Sequence, residues 1–149
     1  MFNPEEFLDM QITEENSTKA IPVPAGEFVA VVEKVDMKSW AKKDDPSVGG
    51  LKLEVTWNID DQSVKDTLER DKVSCKQQIM LDLTDSGGLD MGKGKNVGLG
   101  RLREAVGLNV KGQPFSFTML TGRLAKVKVE HRVDGENIYS EIKAVSKYA

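Results

Sequence analysis

A mainly β fold, a five-stranded antiparallel barrel with short helices inserted, is what this chain of 149 residues predicts. Three observations carry that expectation. Period-two alternation recurs in short stretches bounded by Gly, Pro, Asn and Asp. The pair Asp134-Gly135 joins two alternating runs, and such a pair favours a tight hairpin because both positions accept positive φ. No internal repeat occurs, and strands do not alternate with long helices as a parallel sheet requires.

Residues 1–20 hold few apolar anchors and form an acidic, partly flexible segment ahead of the folded domain at 21–149. Pro4 is suited to open a short helix over 5–10, with Glu5 and Glu6 well placed in its first turn. Residues 13–19 are polar and loose. Pro22 and Pro24 then hold an extended entry, Gly26 allows a turn, and 27–35 is a Val-rich strand. Residues 37–50 read as a loop: Trp40 stands among Lys38, Lys42 and Lys43, followed by Asp44, Asp45, Pro46 and Gly49-Gly50. The cleanest strand is 51–59, with Leu51, Leu53, Val55, Trp57 and Ile59 facing a core and Lys52, Glu54, Thr56 and Asn58 facing water.

Asp60 or Asp61 caps a short helix through Val64 and Leu68, since a carboxylate there accepts from orphan backbone N–H groups. A further strand over 73–83 turns Val73, Cys75, Ile79, Leu81 and Leu83 inward. A glycine-rich loop occupies 85–96, and a helix over 97–106 runs through Val97, Leu99, Leu102 and Val106 until Gly107 stops it. A second short helix is expected over 114–120. The closing hairpin pairs 123–133 with 136–145. If Val133 faces Glu136, then Val129 meets Ser140 and Val127 meets Ile142. The outer face then carries Lys126, Lys128, Glu130 and Arg132 beside Asn137, Tyr139, Glu141 and Lys143. Five antiparallel strands with a helix between the third and fourth match the OB-fold order.

Composition bounds the function classes. The length suits one domain with its own core. A single cysteine, Cys75, excludes an internal disulfide framework and fits a reducing cytoplasm. No apolar run approaches the ~20 residues that span a bilayer. The start, MFNPEEFLDM, lacks the basic-then-apolar order of a signal peptide. The expectation is a soluble cytoplasmic protein with no membrane partner.

Charge is distributed unevenly. Residues 1–70 carry 8 Lys/Arg against 15 Asp/Glu, whereas 91–132 carry 9 Lys/Arg against only Glu104 and Glu130. A chain with overall charge −3 that gathers cations into one stretch is suited to face something negative there, most commonly a nucleic-acid backbone. A solvated basic face is the plainer explanation of the same stretch.

The loop Gly87–Gly94 resembles a phosphate-binding loop in the spacing of Gly87 and Gly92-Lys93. That motif needs Ser or Thr after the lysine to hold magnesium, and Gly94 stands there instead. Residues 87–100 still hold six glycines, together with or next to Lys93, Lys95, Arg101 and Arg103. Glycines let backbone N–H groups approach a phosphate closely, so phosphate tracking and a plain surface loop both remain open. Catalysis has little support. The lone histidine, His131, falls on the inner face of the closing hairpin and reads as a satisfied structural residue. Cys75 alternates with core residues and reads as an inert thiol. Single His and Cys residues exclude an ordinary zinc site, and no cofactor is implied. The pairs Asp44/Asp45 and Asp60/Asp61 sit in turn or capping contexts, so the chain reads as a non-enzyme. Among the aromatics, Trp57 and Phe28 fit the core, as do Phe115 and Phe117 under the barrel. Trp40 and Tyr139 are candidates to stack on bases, as aromatic platforms in basic grooves do.

With these elements in place, three stretches resemble the small single-stranded-DNA-binding proteins of tailed phages: IPVPAGEFVAVVEKV, QIMLDLTDSGGLDMGKGKNVGLGRLREAVG and RLAKVKVEHRVDGENIYSEIKAV. The resemblance implies an OB-type barrel, coating of single-stranded DNA, and partners in the replication and recombination machinery of a bacteriophage, in the host cytoplasm. One departure stands out. Cellular proteins of this function end in an acidic tail, whereas here the sequence ends SEIKAVSKYA and the acidic segment is N-terminal, with Glu5, Glu6, Asp9, Glu14 and Glu15. That segment is expected to compete for the basic groove or to dock a partner.

The combined expectation is a sequence-nonspecific single-stranded-DNA-binding protein. Lys126, Lys128 and Arg132 line its groove, Lys93, Lys95, Arg101 and Arg103 extend it, and Lys38, Lys42 and Lys43 form the other rim, with Trp40 and Tyr139 stacking. A homo-oligomer is compatible with it. Two rivals stay open: a virion structural or assembly module whose basic segment meets an acidic neighbour, and an accessory recruiter that binds a recombinase or nuclease through the acidic N-terminus.

Overall fold

Alternating apolar side chains assemble five antiparallel strands in the computed structural model, which describes residues 2–148; Met1 and Ala149, the outermost residues of the two expected segments, lie outside it. A short helix α1 (Pro4–Leu8) is followed by β1 (Gly26–Ala41), β2 (Gly49–Ile59), α2 (Gln62–Leu68), β3 (Ser74–Met80), α3 (Val97–Ala105), β4 (Leu124–Asp134) and β5 (Asn137–Ser146). A 3-10 turn, Phe117–Leu120, precedes β4 where a second helix was expected.

The strands lie in the order β3-β2-β1-β4-β5, every neighbouring pair antiparallel, with α3 inserted between β3 and β4. This is the arrangement of a five-stranded, partly open OB-like barrel. One strand serves both halves. β1 pairs β4 along Gly26–Val31 and β2 along Ala30–Ala41, with a bulge between Val32 and Lys34 that redirects it. The outer strands β3 and β5 approach each other. No ladder joins them, so the sheet is not closed.

The core follows the predicted periodicity. Leu53, Val55, Trp57 and Ile59 of β2 meet Ala30 and Val32 of β1, Cys75 and Ile79 of β3, and Ala125, Val127 and Val129 of β4. Burying each large apolar side chain contributes about 1.5–3 kcal/mol. Trp57 also donates from Nε1 to Gln77 Oε1 at 2.9 Å, so its one polar atom is satisfied. Leu99, Leu102 and Val106 seat α3 against the same core, with Phe115 and Phe117 packed against it in an edge-to-face pair. Gly107 at φ +76 ends that helix as expected. Asp61 caps α2 by accepting from Val64 N at 3.1 Å and Ser63 Oγ at 2.6 Å. The Ser63 hydroxyl, then the Val64 amide, hold its carboxyl below the usual range.

Three local expectations are corrected. The segment 37–41 is strand, not loop, because β1 and β2 continue as a ladder to Ala41↔Gly49, beyond the buried part of the sheet. The side of β2 expected to be wet is not: Glu54 and Thr56 are each only 4 % exposed, covered by the β1 and β3 side chains flanking them. The closing hairpin turns at Gly135-Glu136, so Val133 faces Ile138 rather than Glu136, and Val129 meets Ile142. A further irregularity between Lys128 and Val129 brings Val127 opposite Val145. Between the turn and that irregularity the shift is two residues, an even number, so the inward and outward faces there stay as predicted; beyond it the shift is three, and Val145 turns to the core side.

Candidate nucleic-acid interface

The outward-facing positions of β1, β2 and β3 form a polar floor with cationic walls. Cross-strand register places Lys38 beside Lys52 and Asp36 beside Glu54 on one side of β2. On the other side, Glu54 neighbours Gln78 and Thr56 neighbours Lys76. At the centre, Glu54 Oε1 accepts from Lys38 Nζ at 3.1 Å and lies 3.3 Å from Lys76 Nζ, so one buried carboxylate bridges two lysines half exposed to water. The Lys38 hydrogen bond, then that of Lys76, hold the Glu54 carboxyl below its usual range despite burial. Lys52 Nζ donates to Gln78 Oε1 at 2.9 Å.

Trp40 stands at one end of this floor. It is the outward residue opposite Gly50, and a Cβ on Gly50 would lie 3.3 Å from the indole Nε1, so the ring packs closely over the glycine and a side chain there would push it by a few tenths of an ångström. Among the described residues, three buried side-chain polar atoms lack a hydrogen-bond partner: Trp40 Nε1, Thr56 Oγ1 and Asn58 Oδ1. All three belong to outward positions of β1 and β2. Beyond Trp40, Lys42 and Lys43 are exposed in the connection 42–48.

The other end is built by the β4–β5 hairpin across the unclosed seam. Lys76 and Gln78 of β3 share a cleft of about 460 Å³ with Arg132, Tyr139, Ser140, Glu141 and Ile142. The Arg132 guanidinium lies 4.8 Å from the Tyr139 ring centroid and donates to Glu141 Oε1 at 2.5 Å. Sequence-distant residues thus form one path: Trp40, then Lys38, Glu54 and Lys76, then Gln78, then Arg132 and Tyr139.

Of the sequence-predicted site residues, the structure brings Lys38, Trp40, Arg132 and Tyr139 onto this path, with Lys42 and Lys43 in the connection at its edge. It does not gather the rest there. Lys126 lies by Glu27, Asp60 and Asp61 on the β1–β4 side, and Lys128 pairs with Glu130 at 3.5 Å. Arg103 is tied to the body: its guanidinium sits 4.3 Å from the Phe115 ring and its Nε donates to the Leu108 carbonyl. Arg101 borders the α3–β5 junction with Val145 and Lys147. Lys93 and Lys95 are exposed in the glycine-rich loop. The residues missed from the sequence are Lys52, Glu54, Lys76 and Gln78. Their signal was the outward half of the alternation on β2 and β3.

The glycine-rich loop is internally bonded. Gly88 N donates to Thr84 Oγ1, Gly92 N to Asp90 Oδ1 and Asn96 N to Asp82 Oδ2. Asn96 returns bonds to Asp82 N, Asp82 O and Asp90 O. These amides are therefore already occupied, and α3 starts only at Val97. His131 and Cys75 take structural places: His131 Nε2 is 2.7 Å from the Val23 carbonyl, and burial pushes the Cys75 thiol up to about 11. Among the described residues no helix is long and apolar enough to cross a membrane.

No protein-family model matches this chain, and no curated protein matches it at a significant level.

Proposed function

We propose that this protein binds single-stranded DNA along the outward face of β1–β2–β3, without enzymatic activity and with little sequence preference, in bacteriophage replication or recombination. One observation carries the reading: two aromatic side chains, Trp40 and Tyr139, bracket a lysine-walled strip on an OB-like barrel. Strand-2 and strand-3 faces of such barrels, with the loops joining strands 1–2 and 4–5, are where oligonucleotides bind. Lysines track the phosphates, the aromatic rings take bases, and a strip one sheet wide admits a single strand. Lys93, Lys95, Arg101, Arg103, Lys126 and Lys128 lie off this strip and enter the reading only as a general positive field.

The test is fluorescence anisotropy with a labelled mixed-sequence 30-mer, single-stranded and duplex, at two salt concentrations. The expected result is binding to the single strand that weakens with salt at a log–log slope of about −0.7 per phosphate contact, and much weaker duplex binding. No binding of the single strand at low salt sinks the reading.

A second reading, recruitment of a recombinase or nuclease, is favoured by the N-terminal segment. Phe2, Phe7, Leu8, Met10 and Ile12 are all exposed there among five acids, a composition suited to docking on a partner. It predicts that truncation abolishes partner binding and leaves DNA affinity almost unchanged.

A further inference from the structure

We propose that Glu54 is a resident anion in a phosphate site formed by Lys38 and Lys76, and that it restrains the protein's affinity for nucleic acid. The inference rests on the single-strand reading. Both ammonium groups meet the same carboxylate oxygen, at 3.1 and 3.3 Å, in the middle of the outward face. Two lysines converging on one anionic oxygen is the arrangement a phosphate oxygen would find. Here the protein fills it.

The backbone that carries Glu54 is held in place and its side chain is enclosed. Glu54 is an interior residue of β2, paired on both sides, and 4 % exposed. Its lysine partners also keep its carboxyl below the usual range, so it is charged at neutral pH. A phosphate that approaches either lysine meets a fixed negative charge already holding both. The lysines are 48 % and 57 % exposed, so they remain reachable, but their charge is partly spent. The result is a central contact that forms and releases readily.

The neighbouring charges do not perform this role. Asp36 lies opposite Glu54 on β1 but its salt bridge is to Lys34, at 3.9 Å, and its side chain is 43 % exposed. Glu141, at the far end of the strip, is taken by Arg132.

The experiment compares the intact protein with Glu54→Gln, which keeps the side-chain shape and removes the charge. Asp66→Asn on α2 serves as a control of equal charge change. Single-strand affinity is read by anisotropy across a salt series. Glu54→Gln is expected to bind about three- to tenfold tighter at low salt and to steepen the salt slope by up to about 1.4, two lysines each gaining a full contact. Asp66→Asn moves neither quantity appreciably. Lys38→Met with Lys76→Met weakens binding. Near-UV circular dichroism of buried Trp57 reports whether each variant keeps its fold.

An intact protein that binds, with Glu54→Gln equal or weaker, overturns the resident-anion proposal and leaves the function standing. A Lys38→Met/Lys76→Met variant that binds as well as the intact protein does the same. If neither the intact protein nor Glu54→Gln binds a single strand at low salt, the functional reading falls and the proposal falls with it.

Discussion

Trp40 and Trp57 differ in what their indole nitrogens meet. Trp57 is fully buried and its Nε1 is bonded to Gln77, so it belongs to the core. Trp40 is half-buried on the outward face, lies over Gly50, and its Nε1 has no partner. Replacing Trp40 with Ala is therefore expected to lower single-strand affinity by about 1–3 kcal/mol, the worth of one stacked base, with little loss of stability. In the intact protein, titration with oligonucleotide quenches the Trp40 part of the emission, and Trp40→Ala abolishes that quench. An unchanged affinity would remove Trp40 from the site. Cys75 is the opposite kind of residue: its thiol stays protonated at neutral pH, because burial opposes the thiolate.

Elements whose signals are local were legible in the sequence. The alternation over 51–59 gave β2, and Gly107 marked the end of α3. Asp61 marked the start of α2, and its role has a thermodynamic signature. Its carboxyl is held below the ordinary value of about 3.9, so its stabilising contribution is present above that pH and is lost as pH falls through the folded-state value. Asp61→Ala is expected to lower Tm at pH 7, and the gap from the intact protein to narrow below about pH 4. A gap that stays constant with pH would assign the loss to something other than the carboxylate.

What the sequence concealed has a common physical cause. The outer end of the β1–β2 ladder has few buried side chains, so no hydrophobic alternation announces it, and turn chemistry alone places Trp40 in a loop. The hairpin register depended on a turn at Gly135-Glu136 and an irregularity near Val129, neither of which leaves a compositional mark. The strip itself joins Lys38, Glu54 and Lys76, which only strand pairing brings together. The dense basic run over 91–132 is not gathered on one face: folding spreads it over a loop, a helix face and the outside of β4, and brings Arg132 alone of its cations to the strip.

For the whole molecule, the placement of the acidic N-terminal segment matters more than its net charge. Its root is moored to the β4–β5 hairpin: the Val23 carbonyl accepts from Ser140 Oγ at 3.2 Å and contacts His131, and Lys19 Nζ lies 3.8 Å from Glu136. Ten residues of chain reach about 18 Å on average, so acids upstream of Lys19 can visit the Tyr139 end of the strip. Deletion of residues 1–20 is expected to raise single-strand affinity at low salt, an effect that fades as salt screens the competition. Unchanged affinity would exclude competition and favour the docking role of that segment.

The unclosed seam has a mechanical consequence. Widening a sealed barrel means breaking a ladder of backbone hydrogen bonds. Between β3 and β5 there is none to break. The cleft holding Lys76 and Tyr139 can therefore yield like the open side of a clasp, admitting a bulky base or a small one for the loss of a few side-chain contacts. On the proposed function, tolerance of different sequences would come from a jaw whose hinge is the barrel itself.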